Sequence, residues 1–197
     1  YFAVALEAYI TNDSLGVIDA ILLEPGAEDP SGVSGTGDWQ QLGETILSGV
    51  ASSISVTGLS ARLDLQVRVH IIDTPAENIV LRFNNDSAGN YGYSIVQLDA
   101  TPTIVNVGGA TEIRLNNHTP TLNDEEFYVI EVINRGAQEK GCAWKHSCRE
   151  VQTAGWVEIG AGRWTNITDQ ITRVDILSGA GGNFAANSRV TVYGKKD

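Results

Sequence analysis

The stretch LDLQVRVHI, residues 63–71, alternates apolar and polar side chains without interruption. An apolar residue at every second position is typical of a β-strand with one face in a core and the other in water. Shorter runs of the same period follow along the chain, each bounded by residues that favour turns. They are Ile79–Phe83, Tyr91–Ile95, Ile113–Leu115, Tyr128–Val132, Val174–Ile176 and Val190–Val192.

This spacing of short strands predicts an all-β fold, an antiparallel β-sandwich or jelly roll, because no segment shows the longer period of an amphipathic helix. The chain has 197 residues, of which 42% are hydrophobic, so it is long enough to bury a sizeable core. Little helix is expected, and no internal repeat is found.

The chain is acidic, with a formal net charge of −11 and a pI near 4.6. Its 13 lysines and arginines are scattered, so no basic stripe is available to bind nucleic acid. The longest apolar stretch, around Ala20–Leu23, is far shorter than the ~20 residues that span a bilayer. The chain contains no methionine and begins at Tyr1, from which we expect that an N-terminal segment was removed.

Composition divides the chain into three segments: an apolar strand arm at residues 1–24, a Gly/Ser/Pro-rich linker at residues 25–37 and the sandwich domain at residues 38–197. Both faces of a strand in the arm are apolar, so it requires burial on two sides. We expect it to find this burial in a neighbouring copy, although it can also form the first strand of its own domain. The residues of this assembly strand are Phe2, Val4, Leu6, Ala8 and Ile10.

Several motifs of the main body occur in a characteristic order: Trp39 with Leu42–Thr45, Ser52–Leu59, Leu81–Asp86, Asn90–Tyr93, Trp164–Asn166, Ile171–Ile176 and Asn183–Tyr193. In this order they resemble a β-sandwich (jelly-roll) module of tailed-phage and prophage virion proteins that are associated with tails or capsids. The resemblance covers residues 38–195 and does not include the arm. It implies a structural or attachment role and brings no catalytic residues.

Cys142 and Cys148 are the only two cysteines. In an oxidising compartment they would close a small loop by a disulfide, which is the pairing we predict. Two alternatives remain: a metal site that also uses His146, for which one short loop is a weak zinc signal, and two free thiols.

Other candidate sites lie in predicted turns. Four Asn-X-Ser/Thr sequences are candidate glycosylation sites, at Asn12, Asn85, Asn117 and Asn166. An aromatic surface that stacks on sugars is the other candidate, and Trp144 is the ring that we expect outside the core. Tyr91 and Tyr93 complete this candidate ligand surface.

No sequence motif for a catalytic nucleophile, a zinc protease, a phosphate-binding loop or a dinucleotide site is present. The carboxylates Asp124, Glu125 and Glu126 can be read as an acid–base pair or as calcium ligands, with Asn84–Asp86 as further oxygen donors. A solvated turn is the interpretation that we favour for Asp124–Glu126. We expect no enzyme activity and no cofactor, with calcium left open.

These observations favour a structural subunit that assembles with itself, head to tail, into an extracellular or virion-type helical filament by donating its N-terminal strand. Two alternatives use the same fold. One is a phage head or tail decoration or attachment protein that binds other virion proteins, and the other is a carbohydrate-binding module.

Overall fold

The structure is a computed structural model that describes residues 39–74, 78–98, 102–117, 125–149, 155–179 and 181–195. The predicted arm and linker, including the assembly strand, lie outside the described residues. Within these ranges the regular structure consists of strands alone. In chain order they are β1 (Trp39–Ile46), β2 (Ser53–Thr57), β3 (Asp64–Thr74), β4 (Ile79–Phe83), β5 (Tyr91–Leu98), β6 (Thr103–Ala110), β7 (Ile113–Arg114), β8 (Glu125–Ile133), β9 (Lys140–Arg149), β10 (Gly155–Trp164), β11 (Arg173–Ser178), β12 (Asn183–Phe184) and β13 (Arg189–Lys195).

The strands form two sheets in which every pair is antiparallel. The larger sheet has the order β1-β13-β3-β8-β9-β10-β5-β6, and β12 pairs with β3 beside this path. The smaller sheet has the order β2-β11-β4-β7. The two sheets pack together, which confirms the predicted all-β sandwich.

The core lies between the two sheets and is built by the alternation read from the sequence. In β3, the apolar residues of the LDLQVRVHI stretch from Leu65 to Ile71 point inward and are buried. Their burial stabilises the fold by about 1.5–3 kcal/mol for each large side chain. The smaller sheet contributes the opposing layer, which contains Ile54, Val56, Leu81, Phe83, Val174 and Ile176.

The predicted disulfide between Cys142 and Cys148 is wrong, because both residues lie on the single strand β9 and neither is disulfide-bonded. A strand rises ~3.3 Å per residue, so residues six positions apart are separated by about 20 Å. A disulfide requires Cα atoms within about 7 Å. Burial raises the pKa of the Cys142 thiol to about 12, so little of it is ionised near neutral pH.

Candidate functional site

A row of polar side chains crosses the inner face of the larger sheet, where β5 ends and β8 begins. The register places Tyr128 of β8 beside His146 of β9, His146 beside Glu158 of β10, and Glu158 beside Gln97 of β5. Directly paired residues of an antiparallel sheet point to the same face. All four side chains are buried. Four neighbouring strands therefore align them in one line, which we call the polar row.

The ring of His146 lies between two carboxylates. Its Nδ1 is 3.1 Å from Oε2 of Glu158, and its Nε2 is 3.1 Å from Oε2 of Glu126. The ring of Tyr128 stacks on that of His146, with centroids 4.2 Å apart, and the Tyr128 hydroxyl donates a hydrogen bond to Glu126. Each ring nitrogen of His146 therefore faces a carboxylate oxygen.

The segment after β7 closes the polar row from the side. The backbone N–H of Asn117 donates to both carboxylate oxygens of Glu158, at 2.9 and 3.1 Å. The Asn117 side-chain amide donates to Oε1 of Gln97 at 3.1 Å. The side chains of Glu126, His146 and Glu158 have no exposed surface. In this arrangement the three side chains contact one another and not solvent.

The three consecutive carboxylates do not share one environment. Asp124 lies outside the described residues. Glu125 is exposed, with its Oε2 3.8 Å from Nε2 of His70, whereas Glu126 is fully buried. The interpretation of this run as a solvated turn is therefore wrong for Glu126. The reason is that β8 begins at Glu125, and adjacent residues of a strand point to opposite faces.

The outer face of the larger sheet carries exposed apolar side chains behind the polar row. Leu98 follows Gln97 in the sequence and Val157 precedes Glu158, so both point to the outer face. The next outward pair along β5 and β10 is Val96 and Ile159. Ile104 of β6, opposite Val96, is 65% exposed. On β9, Lys145 and Ser147 separate this group from Phe127. We call the contiguous group the outer patch: Val96, Leu98, Ile104, Val157 and Ile159.

The usual distribution of polarity is reversed at this end of the sheet. Gln97, Glu126 and Glu158 point into the sandwich, while their neighbours Leu98, Phe127 and Val157 are exposed. Period-two alternation identifies such strands but does not say which face is inside. Sequence reasoning missed the outer patch and the polar row mainly because it predicted no strand at β9 or β10. The available signal was the spacing of Cys142, Trp144, His146 and Cys148, which share one face of a strand.

Strand β6 forms one edge of the larger sheet. Among the described strands it pairs with β5 alone. Its eight residues, TIVNVGGA, include no charged side chain. An edge strand directs alternate N–H and C=O groups away from the sheet, where another strand can pair with them. An uncharged edge therefore adjoins the outer patch at Ile104.

Two of the three predicted ligand-surface aromatics are in the core. Trp144 is 3% exposed, and its indole N–H donates to the carbonyl oxygen of Leu115 at 2.8 Å. Tyr91 is 1% exposed; burial raises the pKa of its hydroxyl, which accepts a hydrogen bond from the Phe83 N–H at 3.0 Å. Neither ring can stack on a sugar, so this prediction is corrected for both. Tyr93 is half-buried, and a ligand role for it stays a prediction.

The candidate glycosylation sites differ in their surroundings, and all four stay predictions. Asn12 lies outside the described residues. Asn85 is exposed in the turn after β4. The side-chain amides of Asn117 and Asn166 donate hydrogen bonds, to Gln97 and to Asp169. A glycan on either amide would disturb these bonds, so Asn85 is the most accessible of the described acceptors.

The oxygen donors considered for calcium hold the turn after β4 together. Asn84 Oδ1 accepts from the backbone N–H groups of Thr172 and Arg173, at 2.9 and 3.1 Å. Asp86 Oδ2 accepts from the Trp164 indole N–H at 2.7 Å. Burial alone would raise the pKa of Asp86, but its hydrogen bonds lower it overall. Within the described ranges, no three His, Cys, Asp or Glu side chains are grouped to hold a metal ion.

No protein-family model, curated protein or solved structure matches this chain. In the described part of the chain, no helix is long and apolar enough to cross a membrane. The features of the described fold that bear on function are therefore the polar row, the outer patch and the edge strand β6.

Proposed function

We propose that the chain is a non-enzymatic structural subunit that assembles head to tail into a helical filament, extracellular or in a virion, by donating its N-terminal strand to a neighbouring copy. The resemblance to phage virion modules is consistent with this role. A strand that leaves its own domain to enter the next one makes a heterologous contact. Such contacts generate open helical assemblies unless the rotation between subunits closes a ring.

The observation that carries the proposal is the reversed polarity around the polar row. An isolated sandwich gains stability by burying apolar side chains and exposing charged ones. Here Glu126 and Glu158 are inside, while Leu98 and Val157 are exposed to 48% and 46%. Neighbouring exposed apolar groups on a folded domain mark an interaction surface. Burial of these side chains against another chain would reduce this exposure.

The sequence of the arm supplies the complementary feature. In an extended strand its alternate residues Phe2, Val4 and Leu6 would form one apolar face, and Ala3, Ala5 and Tyr9 would lie on the other. A strand that is apolar on both faces is typical of a strand buried on both sides. Donation to a second copy satisfies this need and pairs the backbone of the donated strand.

Deletion of residues 1–12 tests the proposal. The described fold begins at Trp39, so we expect the truncated chain to keep the circular dichroism spectrum of the full chain. We expect filaments of the full chain in negative-stain electron microscopy and monomers of the truncated one. Persistence of filaments after the deletion would reject strand donation.

A pair of point variants controls for the change in length. Leu6→Asp places a charge on the apolar face of the assembly strand, and we expect it to abolish polymerisation. Glu7→Gln, at the next position, removes a charge without adding one, and we expect filaments to persist. If the full chain stays monomeric until virion proteins are added, the decoration role replaces the filament.

A further inference from the structure

Among the described strands, four form the edges of the two sheets, and they differ as acceptors for a donated strand. The smaller sheet ends in β2 and β7. Strand β7 has two residues, too few to pair with a long segment. Strand β2 has five residues, and Ser55 at its centre is hydrogen-bonded to Asp175 at 2.6 Å. A purely apolar partner would therefore meet polar groups beside β2.

The larger sheet ends in β1 and β6. Strand β1 has an irregularity in its register between Gln41 and Gly43, and Glu44 on β1 accepts a hydrogen bond from the Thr191 hydroxyl at 2.7 Å. Irregularities and charges are the features by which sheet edges avoid further pairing. Strand β6 has eight residues and no charge. Its pairing with β5 also has an irregularity, opposite Tyr91 and Gly92, but this lies at the end of the strand, and the residues from Thr103 to Gly108 pair in regular register. On these criteria β6 is the edge most open to an added strand.

The apolar side chains of β6 suit a donated strand that is apolar on both faces. Ile104 points outward into the outer patch, opposite Val96. Val105 and Val107 point to the other face, opposite Ile95 and Tyr93, and Val107 is 37% exposed. A strand added beside β6 would therefore meet apolar side chains on each of its faces.

The length of β6 also agrees with that of the strand to be donated. Eight residues of β6 span ~26 Å, and the ten residues to Ile10 span ~33 Å when extended. The linker, residues 25–37, separates the arm from the sandwich domain. A linker of thirteen residues can span at most about 45 Å when fully extended. The arm thus has both the length and the tether to act at a distance from its own domain.

From these features we propose that the outward edge of β6, together with the outer patch, is the acceptor for residues 2–10 of a second copy. This inference rests on the proposed filament and names the surface that receives the donated strand. The occupant is the arm because it is long, apolar on both faces and almost uncharged, as the β6 edge requires.

The test compares the same substitution on the two edges of one sheet. Ile104→Lys places a charge on the β6 edge, and Ile46→Lys places one on β1, where the isoleucine is 53% exposed. A lysine on an edge opposes further strand pairing. We expect Ile104→Lys to raise the critical concentration for polymerisation at least tenfold, and Ile46→Lys to change it by less than about twofold. Thermal unfolding by circular dichroism checks that both variants fold.

A cross-linking measurement locates the arm directly. One full-length variant carries Ala5→Cys and a second carries Asn106→Cys, and the two are mixed in equal amounts. Because Cys142 and Cys148 are buried, an oxidative cross-link forms between the introduced thiols. We expect a covalent dimer of one copy of each variant. A matched mixture with Gln41→Cys on β1 in place of Asn106→Cys is the control and should give none.

The outcomes separate this inference from the proposed function. If the control on β1 cross-links and Ile46→Lys blocks polymerisation, while Asn106→Cys and Ile104→Lys have no effect, the acceptor is β1 and the inference fails, although strand donation stands. If Ala5→Cys and Asn106→Cys placed in one chain join only within that chain, the arm pairs in cis and the inference also fails. If filaments persist without residues 1–12, the proposed function itself is rejected.

Discussion

At the scale of single residues, Gly160 decides where Trp144 can lie. Both residues are paired across β9 and β10, and a Cβ atom at position 160 would overlap three atoms of the indole ring. The ring therefore packs directly over the backbone of Gly160, which lets its N–H reach the carbonyl oxygen of Leu115. The sequence alone favoured an exposed Trp144, because the space that receives the ring depends on a glycine of another strand.

We predict that Gly160→Ala destabilises the fold by about 1–3 kcal/mol, because the added methyl group overpacks the indole ring. Gly141→Ala is the matched control, since a Cβ there meets nothing within 4 Å. That variant should stay within about 0.5 kcal/mol of the parent. Urea unfolding followed by tryptophan fluorescence measures both. Equal effects of the two substitutions would contradict the assigned packing.

At the scale of strands, the polar row shows that the sequence pattern of a strand does not tell which of its two faces is buried. Strand β8 alternates, yet the residues that β8 and β10 turn inward include Glu126 and Glu158. Burial of charged groups is costly unless they are paired. The pairing comes from His146 on the strand between them, with nitrogen–oxygen distances of 3.1 Å to each carboxylate. The partner strand is therefore what permits the inward carboxylates.

We predict that Glu158→Leu destabilises the fold by about 3–5 kcal/mol, because it leaves the His146 ring and the Asn117 N–H without their acceptor. Glu125→Leu serves as the control. Its carboxylate is exposed and lies 3.8 Å from His70, so its loss should change stability by no more than about 1 kcal/mol. Chemical denaturation of both variants provides the comparison. A loss below 1 kcal/mol for Glu158→Leu would mean that the row contributes little to stability.

At the scale of the whole molecule, charge opposes lateral contact between subunits. The chain carries a net charge of −11, and like-charged exteriors repel over about one Debye length. The proposed joint, by contrast, is largely apolar, and Glu7 of the arm is its one charged side chain. In the proposed filament, copies would therefore join through one end while their sides stay apart.

We predict that filaments stay separate near neutral pH at low salt and bundle as the pH falls towards the pI near 4.6, since protonation of carboxylates removes the net negative charge. At about 1 M salt the Debye length falls to about 3 Å, and bundling should also occur at neutral pH. Light scattering and negative-stain images follow both changes. Single filaments under both conditions would show that charge does not keep them apart.

The alternation of residues in the sequence was enough to predict the fold class and seven of the thirteen described strands, namely β3, β4, β5, β7, β8, β11 and β13. In residues 63–71 the alternation of apolar and polar side chains is a local property, so β3 and the sandwich core follow from it. The sequence also determined the net charge and the two-sided apolar character of the arm. These features depend on residue types and on spacing of a few positions, which the sequence shows directly.

Only the tertiary structure decided which side chains are inside at the polar row and which strand forms the open edge. Cys142 and Cys148 were read as a loop closed by a disulfide, whereas β9 extends through both because β8 and β10 pair with it on either side. Glu126 is inside because His146, from another strand, compensates its charge. The physical reason is the same in each case: burial and pairing are set by residues that are distant in sequence and adjacent in space.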